Sequence, residues 1–509
     1  MASFEATLSA ALVALLAVVC SVAYYALQTP PHGAKVPPLT RDTSSLFGAY
    51  VFFTHRWDFM QKAAAHSPTG NFSFYAGRKP VIAVRGVEAR RAFVESKELG
   101  FNEGYSALLA GAPDVKEGNN ALGNDVLTDE NRADFGTFFN KWLAAMLKGN
   151  RLKQGLPQLL NDARTFFDGL ATNTTGLTDP FDSVYRMVFQ FTMRTVACGE
   201  IADDPALLSR TLKLFEDVES AVSPLAVMYP WLPLWSKVKR TIAGGQLYVI
   251  FKRAVDSRKK SGVRCEDAIQ YLLDTGANTT VILKVILGAL FAGQLNSGVN
   301  AAWIMVYLAS NTYWLDQCRK EVQRVATNHC PNNASSLKEQ LMQIPIEAWE
   351  NEFPVIDMCL RESIRLQSGG AIFRKNISDH AVPLDKEGHE VIPPSSFATY
   401  HTGDVHYNPS IYTNPMEYDP GRFLPDRAED KKEQYAFLGW GVARHPCLGM
   451  RFAKLENNLI VAFFLAYFSE IKLANADGTE TTRIPATDIN NHTARLPHEH
   501  IWLKYRPAA

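Results

Sequence analysis

The run from Thr279 to Leu308 is apolar almost throughout and lies in the middle of a 509-residue chain. It is far too long for a strand, and its place deep within a chain of 47% hydrophobic composition reads as a helix buried in a large core, not as a membrane span. The centre of the run is Phe291-Ala292-Gly293-Gln294-Leu295-Asn296-Ser297-Gly298. A mid-helix glycine costs about 1 kcal/mol relative to alanine, so it has a packing or a functional reason. Ala292 and Gly293 leave room for a flat group against the helix; the alternative is two small residues at a helix crossing.

Bulk properties exclude several classes. The 52 basic and 52 acidic residues balance, so no global field draws nucleic acid. The seven cysteines are scattered, without paired Cys-x-x-Cys spacing. They form neither a disulfide framework nor a zinc site and suit reducing cytosol.

Leu8 to Leu27 is twenty residues without a charge, which as a helix spans about 30 Å, one bilayer core. Residues 1–29 are therefore expected to be a transmembrane anchor, and 30–45, with Pro30, Pro31, Pro37 and Pro38, a stiff hinge. The rival is a cleaved leader, but no basic residue precedes the run. Lys35, Arg41 and Arg56 follow it, a bias that places the body in the cytosol. Tyr75 to Gly86 reads as a strand pair and Val87 to Leu99 as a helix. Gly100 to Leu127 reads as a long loop. Helical patterns cover Asn131–Leu147, Leu156–Leu170 (with Pro157 in its first turn) and Asp182–Cys198, the last started by Asp179-Pro180. Ala221 to Trp235 is apolar, aromatic and broken by prolines, which suits either a membrane or ligand contact or a buried loop.

The segment Trp440-Gly441-Val442-Ala443-Arg444-His445-Pro446-Cys447-Leu448-Gly449 surrounds one cysteine with small and basic residues. Such a setting suits a thiolate held against a flat, doubly acidic group, as in a haem with a cysteine axial ligand. Gly441 and Gly449 let backbone approach closely. Arg444 and His445 bring positive charge. The alternative is a buried free cysteine in a glycine-containing loop. Glu362 and Arg365 lie three apart on one helical face, and about sixty residues on comes Asp419-Pro420-Gly421-Arg422-Phe423. Together they suggest a buried network of Glu362, Arg365 and Arg422.

These segments, in this order, resemble those of the cytochrome P450 family: a Phe-x-x-Gly-x-basic-x-Cys-x-Gly loop, Glu-x-x-Arg, and Pro-Glu-Arg-Phe. The chain departs from the pattern at Trp440, at Ala443 (usually glycine), at His445, and at Gly421 (usually the acid). The resemblance implies a mainly α fold with small β-sheets preceded by one N-terminal transmembrane helix, with residues 46–509 as a single catalytic domain. It implies haem b with Cys447 as the axial ligand. Arg374, His445 and Arg132 would hold the propionates, and Trp440, Gly441 and Gly449 would shape the loop. Ala292, Gly293, Asn296 and Ser297 match the oxygen-binding segment, although Leu295 stands where an acid or histidine is usual and Asn296 where threonine is. That departure raises a rival chemistry, isomerisation or dehydration without O2; a non-catalytic haem or lipid carrier is the other alternative.

Ala292-Gly293-Gln294, Ala302-Trp303-Ile304 and Ile372-Phe373-Arg374-Lys375 look like the sterol 14-demethylase branch. A fungal tailoring enzyme acting on an apolar terpenoid, steroid-like or polyketide skeleton fits best. The resemblance also implies electrons from NADPH through NADPH-cytochrome P450 reductase, with cytochrome b5 as a possible second donor. Lys431, Lys432, Arg444 and Lys454 would meet the acidic face of the reductase. The expected location is the endoplasmic reticulum membrane, single-pass, with the body cytosolic.

Overall fold

A computed structural model describes residues 33–41, 43, 48–109, 135–221, 223–330, 336–491 and 495–508, with scattered positions between 13 and 24. The chain groups into two compact units.

The first unit comprises Met1–Ala110, Ser223–Pro233 and Ile372–Tyr400. It is built on a five-stranded sheet of order β1-β2-β8-β5-β3, with β1 Phe72–Ala76, β2 Lys79–Val84, β3 Leu99–Gly100, β5 Ala371–Asn376 and β8 Phe397–His401. The expected strand pair is there: β1 and β2 run antiparallel with Phe72 opposite Ala83. Gly77 turns between them at φ +61°, and a Cβ there would lie 2.6 Å from the Met228 carbonyl oxygen. Helices α1 (Tyr50–Thr54) and α2 (Arg56–Ala65) cover the sheet with aromatic rings: Phe52 and Phe59 lie 4.7 and 5.3 Å from Phe74, centroid to centroid. Helix α3 spans Val87–Glu95.

The expected loop after Gly100 begins instead as a helix, α4 (Phe101–Leu108). Phe101, Tyr105 and Leu108 recur at helical spacing, and the Phe101 and Tyr105 rings stack at 4.3 Å. A Cβ on Gly104 would fall 2.5 Å from the Arg374 Cα, so α4 lies directly on β5.

The second unit comprises Gly111–Val222, Leu234–Ala371 and His401–Ala509 and holds a large apolar core. Its helices include α5 Phe135–Met146, α6 Gly149–Ala171, α7 Pro180–Val196, α8 Trp235–Ser261, α9 Thr279–Ser310, α10 Thr312–His329, α11 Pro354–Gln367 and α12 Met450–Tyr467. A three-stranded sheet, β4-β10-β9, joins Leu177–Thr178, Trp502–Pro507 and Phe468–Ala474. Strands β6 (Val382–Pro383) and β7 (Val391–Ile392) form a small hairpin in the first unit. Asp179 caps α7 as anticipated, its Oδ1 accepting from the Phe181 N–H at 2.8 Å. Pro157 is not in a first turn: α6 starts at Gly149, eight residues earlier, so the proline sits inside the helix. The apolar face of Leu152, Leu156, Leu159, Leu160 and Ala163 runs through it, so packing overrides the local break.

Helix α9 is the anticipated buried helix. Asn278 starts it, accepting from the Val281 N–H at 2.9 Å, and every residue from Val299 to Leu308 is buried. This corrects the expected architecture. Among the described residues, the helix long and apolar enough to cross a membrane is internal, Thr279–Ser310, rather than N-terminal. The fold is an α/β arrangement of helices with sheets, where a mainly α body behind an N-terminal transmembrane helix was expected; among the described residues the apolar helix of membrane-spanning length is the internal one. Half of the apolar window of α9 is buried inside the protein, so its hydropathy reflects core packing. Most of Leu8–Leu27 lies outside the described residues.

Candidate active site

The cysteine loop belongs to the second unit. Its two ends close on one another, because the Cys447 N–H donates to the Trp440 carbonyl at 2.7 Å and the Gly441 N–H to that of Leu438 at 3.0 Å. Gly441 is required where it stands: φ is +66°, and a Cβ would fall 2.2 Å from the His445 carbonyl oxygen. Ala443 also adopts positive φ, +52°, where an L-residue is strained. Ala443→Gly is therefore expected to raise stability by about 1 kcal/mol, read as a higher denaturation midpoint at unchanged slope.

Cys447 sits just ahead of α12. The backbone N–H groups of Gly449 and Met450 bond its sulfur and favour the thiolate, while the protein packed around the sulfur pushes the thiol up, and the second effect is larger. Cys447 itself is exposed. Among the described residues the buried Trp440 Nε1 has no partner. His445 is half-buried in the same loop.

On α9, Ala292 and Asn296 are exposed, one turn apart, with Gly293 beside them half-buried. The Asn296 Nδ2 donates back to the Ala292 carbonyl at 3.0 Å, leaving its Oδ1 outside that bond. A Cβ on Gly293 would meet nothing closer than Thr192 Cγ2 at 3.8 Å, whereas one on Gly298 would strike Tyr185 Cδ2 at 2.7 Å. Gly298 is thus the glycine that the helix crossing needs. Ser297 does not sit beside Asn296. It is buried, and its hydroxyl bonds the carboxyl of Glu456 on α12.

Glu456 is 1% exposed, its Oε2 has no partner among the described residues, and burial pushes its carboxyl up to about 8. The folded pKa therefore lies above the ordinary glutamate value, so this group favours folding most fully below that value, and the contribution is lost as pH rises towards 8. In Glu456→Gln the melting temperature should fall less than in the wild type between about pH 5 and pH 8.

The Glu362 network is assembled in full. The Arg365 Nε and Nη2 reach the two carboxylate oxygens of Glu362 at 2.8 and 2.7 Å, and the Arg422 Nε reaches Oε1 at 2.9 Å. All three residues are at most 1% exposed. Other donors go to carbonyls, Arg365 to those of His406 and Pro415, Arg422 to those of Asn414 and Glu417. Sequence reasoning missed a fourth member. Glu429, 3% exposed, accepts from the Arg422 Nη1 at 3.1 Å and from Arg427 at 2.7 Å. A side chain at Gly421 has little space: a Cβ there would be 3.0 Å from Asp419 Oδ1 and 3.2 Å from Arg427 Nη1.

Arg374 lies in the first unit, 4% exposed. Its Nη1 donates to the Phe373 carbonyl at 2.7 Å, and among the described residues its buried Nε has no partner. Burial lowers its pKa to about 10, so it remains a cation at neutral pH. Arg132 lies outside the described residues. Of the basic residues expected to meet a reductase, Lys454 pairs with Asp357 at 2.7 Å and Lys432 donates to the Ile411 carbonyl at 2.7 Å. Ala221–Trp235 is divided: Trp231 and Trp235 are 76% and 68% exposed, while Val227 and Met228 are buried.

The family model described as Cytochrome P450 matches residues 37–487. The chain is 36% identical over 507 residues to the cytochrome P450 monooxygenase AacuE of Aspergillus aculeatus, covering 98% of this chain and 99% of that protein. It is 31% identical to the cytochrome P450 monooxygenase dmxR5 of a Cryptosporiopsis species, covering 97% of this chain and 94% of that one. A more distant likeness, 27% over 64% of this chain and 65% of the other, links it to obtusifoliol 14-alpha demethylase of Sorghum bicolor. Among solved structures, retinoic acid-bound cyanobacterial CYP120A1 superposes with a TM-score of 0.68 at 20% identity, covering 94% of this chain and all of that one, which shows the shared fold.

Proposed function

The chain belongs to the cytochrome P450 family as a monooxygenase, and from that premise we propose that it inserts one atom of O2 into an apolar terpenoid, steroid-like or polyketide substrate in fungal secondary metabolism. The observation that carries the reading is Cys447, whose sulfur meets the Gly449 and Met450 N–H groups in a loop closed by Gly441. Haem held by a thiolate supplies the activation of dioxygen.

The residues fit that group. Cys447 is the soft anionic ligand, and a metal-bound thiol is deprotonated whatever the pKa of the free group. Arg374 is a buried cation with a donor to spare, suited to a propionate carboxylate. His445 lies two residues before Cys447, and the Trp440 indole N–H, without a partner among the described residues, lies in the same loop.

On α9 the side chains divide the work. Ala292 and Gly293 keep the helix face low. Asn296 presents the polar group there, its amide held by the Ala292 carbonyl so that Oδ1 can accept from an incoming water. Ser297 and the protonated Glu456 form a buried proton store one helical position away. Leu295 contributes no proton. In this reading NADPH-cytochrome P450 reductase supplies electrons, and Trp231 and Trp235 contact the membrane surface.

The test is turnover with and without NADPH, reductase and labelled dioxygen. Label in the product supports the reading; product formed equally well without reductant and oxygen would favour the isomerase or dehydratase class and overturn it. Asn296→Ala is expected to uncouple the reaction, with product falling roughly tenfold or more while NADPH consumption continues and hydrogen peroxide rises.

A further inference from the structure

His406 closes a one-turn helix, Gly403–His406, in the second unit and is fully buried. Its carbonyl accepts from the Arg365 Nη1, and its Nε2 accepts from the Leu438 N–H at 3.0 Å. The ring stacks on Phe437 at 5.5 Å. Burial, and after it the charges of Arg365 and Arg495, lower its pKa to about 3, so the imidazole is neutral at neutral pH. A neutral ring that accepts at Nε2 carries its hydrogen on Nδ1. Among the described residues that buried Nδ1 has no partner.

An unmet buried donor costs folding free energy, and an apolar side chain in the same place would avoid it. What the histidine supplies is an acceptor for Leu438. That residue is the joint at which the chain enters the cysteine loop: its N–H is held by His406, and its carbonyl by the Gly441 N–H at 3.0 Å. The chain is confined on either side of the joint. The Tyr412 hydroxyl donates to the Ala436 carbonyl at 3.2 Å, and a Cβ on Gly439 would fall 2.4 Å from Ile364 Cγ2 on α11. Hydrogen bonds therefore lead from Glu362 through Arg365 to His406, from the His406 ring to Leu438, and from Leu438 to Gly441. Next to Gly441 is the Trp440 carbonyl, which takes the Cys447 N–H.

We propose that His406 is a positioning residue for the Cys447 ligand, the side chain through which the buried Glu362–Arg365 pair fixes the entry of the cysteine loop. This rests on the haem-thiolate reading and adds to it a residue from outside the loop. Without the acceptor the Leu438 N–H is left buried and unmet, and the loop is freed to open at its first turn. A thiolate on a loosened loop is free to take up a proton or withdraw, and the red-shifted band that reports it on the haem iron is lost.

The experiment times the decay of the red-shifted Soret band in the reduced carbon monoxide complex of the full-length haem protein, in native buffer. His406→Phe keeps a buried ring on Phe437 and removes the acceptor. Its band is expected to decay about fivefold faster than that of the wild type, or more, the scale of one buried N–H left without a partner. His406→Gln, whose amide oxygen reaches the place of Nε2, should recover most of the difference. The control is Leu473→Ala on β9, a buried truncation in the three-stranded sheet of the same unit. It should lower the denaturation midpoint at least as far as His406→Phe while its band decays at the wild-type rate. Where the phenylalanine variant does not fold, His406→Asn takes its place, because its shorter side chain stops short of the Leu438 N–H.

Equal decay in His406→Phe and the wild type overturns the proposal. So does fast decay that His406→Gln does not slow, or that Leu473→Ala matches, because the effect is then a general loss of stability. A wild type that never shows the band overturns the haem-thiolate reading itself, and the proposal with it. The readout is the spectrum of the ligated haem, so neither substrate nor turnover enters it.

Discussion

Replacing Cys447 by serine is expected to abolish the red-shifted Soret band that the reduced protein gives with carbon monoxide, because that band reports a thiolate on the haem iron. The effect should be complete, since serine offers an alcohol that stays protonated where the thiol would ionise. The loop itself should survive. The bonds that shape it run from the Cys447 N–H to the Trp440 carbonyl and from the Gly441 N–H to the Leu438 carbonyl, and both are backbone bonds that serine retains. The variant should therefore keep its far-ultraviolet circular dichroism while losing the band. A band that persists in Cys447→Ser would remove Cys447 from its role. Monooxygenation should vanish with it.

Glu362→Ala is expected to destabilise the second unit by about 3–5 kcal/mol, the scale for breaking a buried ion pair by removing one partner. The carboxylate takes three charged donors, from Arg365 Nε, Arg365 Nη2 and Arg422 Nε, and accepts the Asp419 N–H at 3.1 Å as well. Removing it leaves two guanidiniums with unmet donors in a region closed to water. Glu429 relieves only the Arg422 side. An exposed pair is the control: Arg91 and Glu95 meet at 3.1 Å on α3 with both side chains solvated, and Glu95→Ala should cost under about 1 kcal/mol. Equilibrium denaturation of both variants checks the contrast. Equal, small effects would mean that the buried network contributes little to folding.

The parts of the site that could be read along the chain are those whose chemistry is local. A thiolate loop needs its ligand and its close-approach glycine within ten residues, and a helical acid–base pair needs only a spacing of three. Cys447, Gly441, Glu362 and Arg365 were therefore visible, as was α9, whose unbroken apolar run admits burial on all sides. At the N-terminus hydropathy alone suggested the membrane helix of the fold; among the described residues the apolar helix of that length is internal. The same logic misled at Pro157, where a local start signal was outweighed by an apolar face beginning two turns earlier.

What remained hidden depends on which residues distant in the chain share a space. That a side chain at Gly421 has little space follows from Asp419 and Arg427 crowding its Cβ, and Glu429 meets Arg422 from a separate turn. Asn296 and Ser297 are neighbours in sequence, yet a helix turns successive side chains by about 100°, so one faces the open side while the other meets Glu456. Arg56 reads as an ordinary cation beyond an apolar segment until folding sets it between Phe52 and Phe373. Hydropathy and length pointed to the core helix, and the order of short motifs carried the resemblance to the family. Only the tertiary structure decided which polar groups lose their water, because desolvation depends on the neighbours that folding brings together.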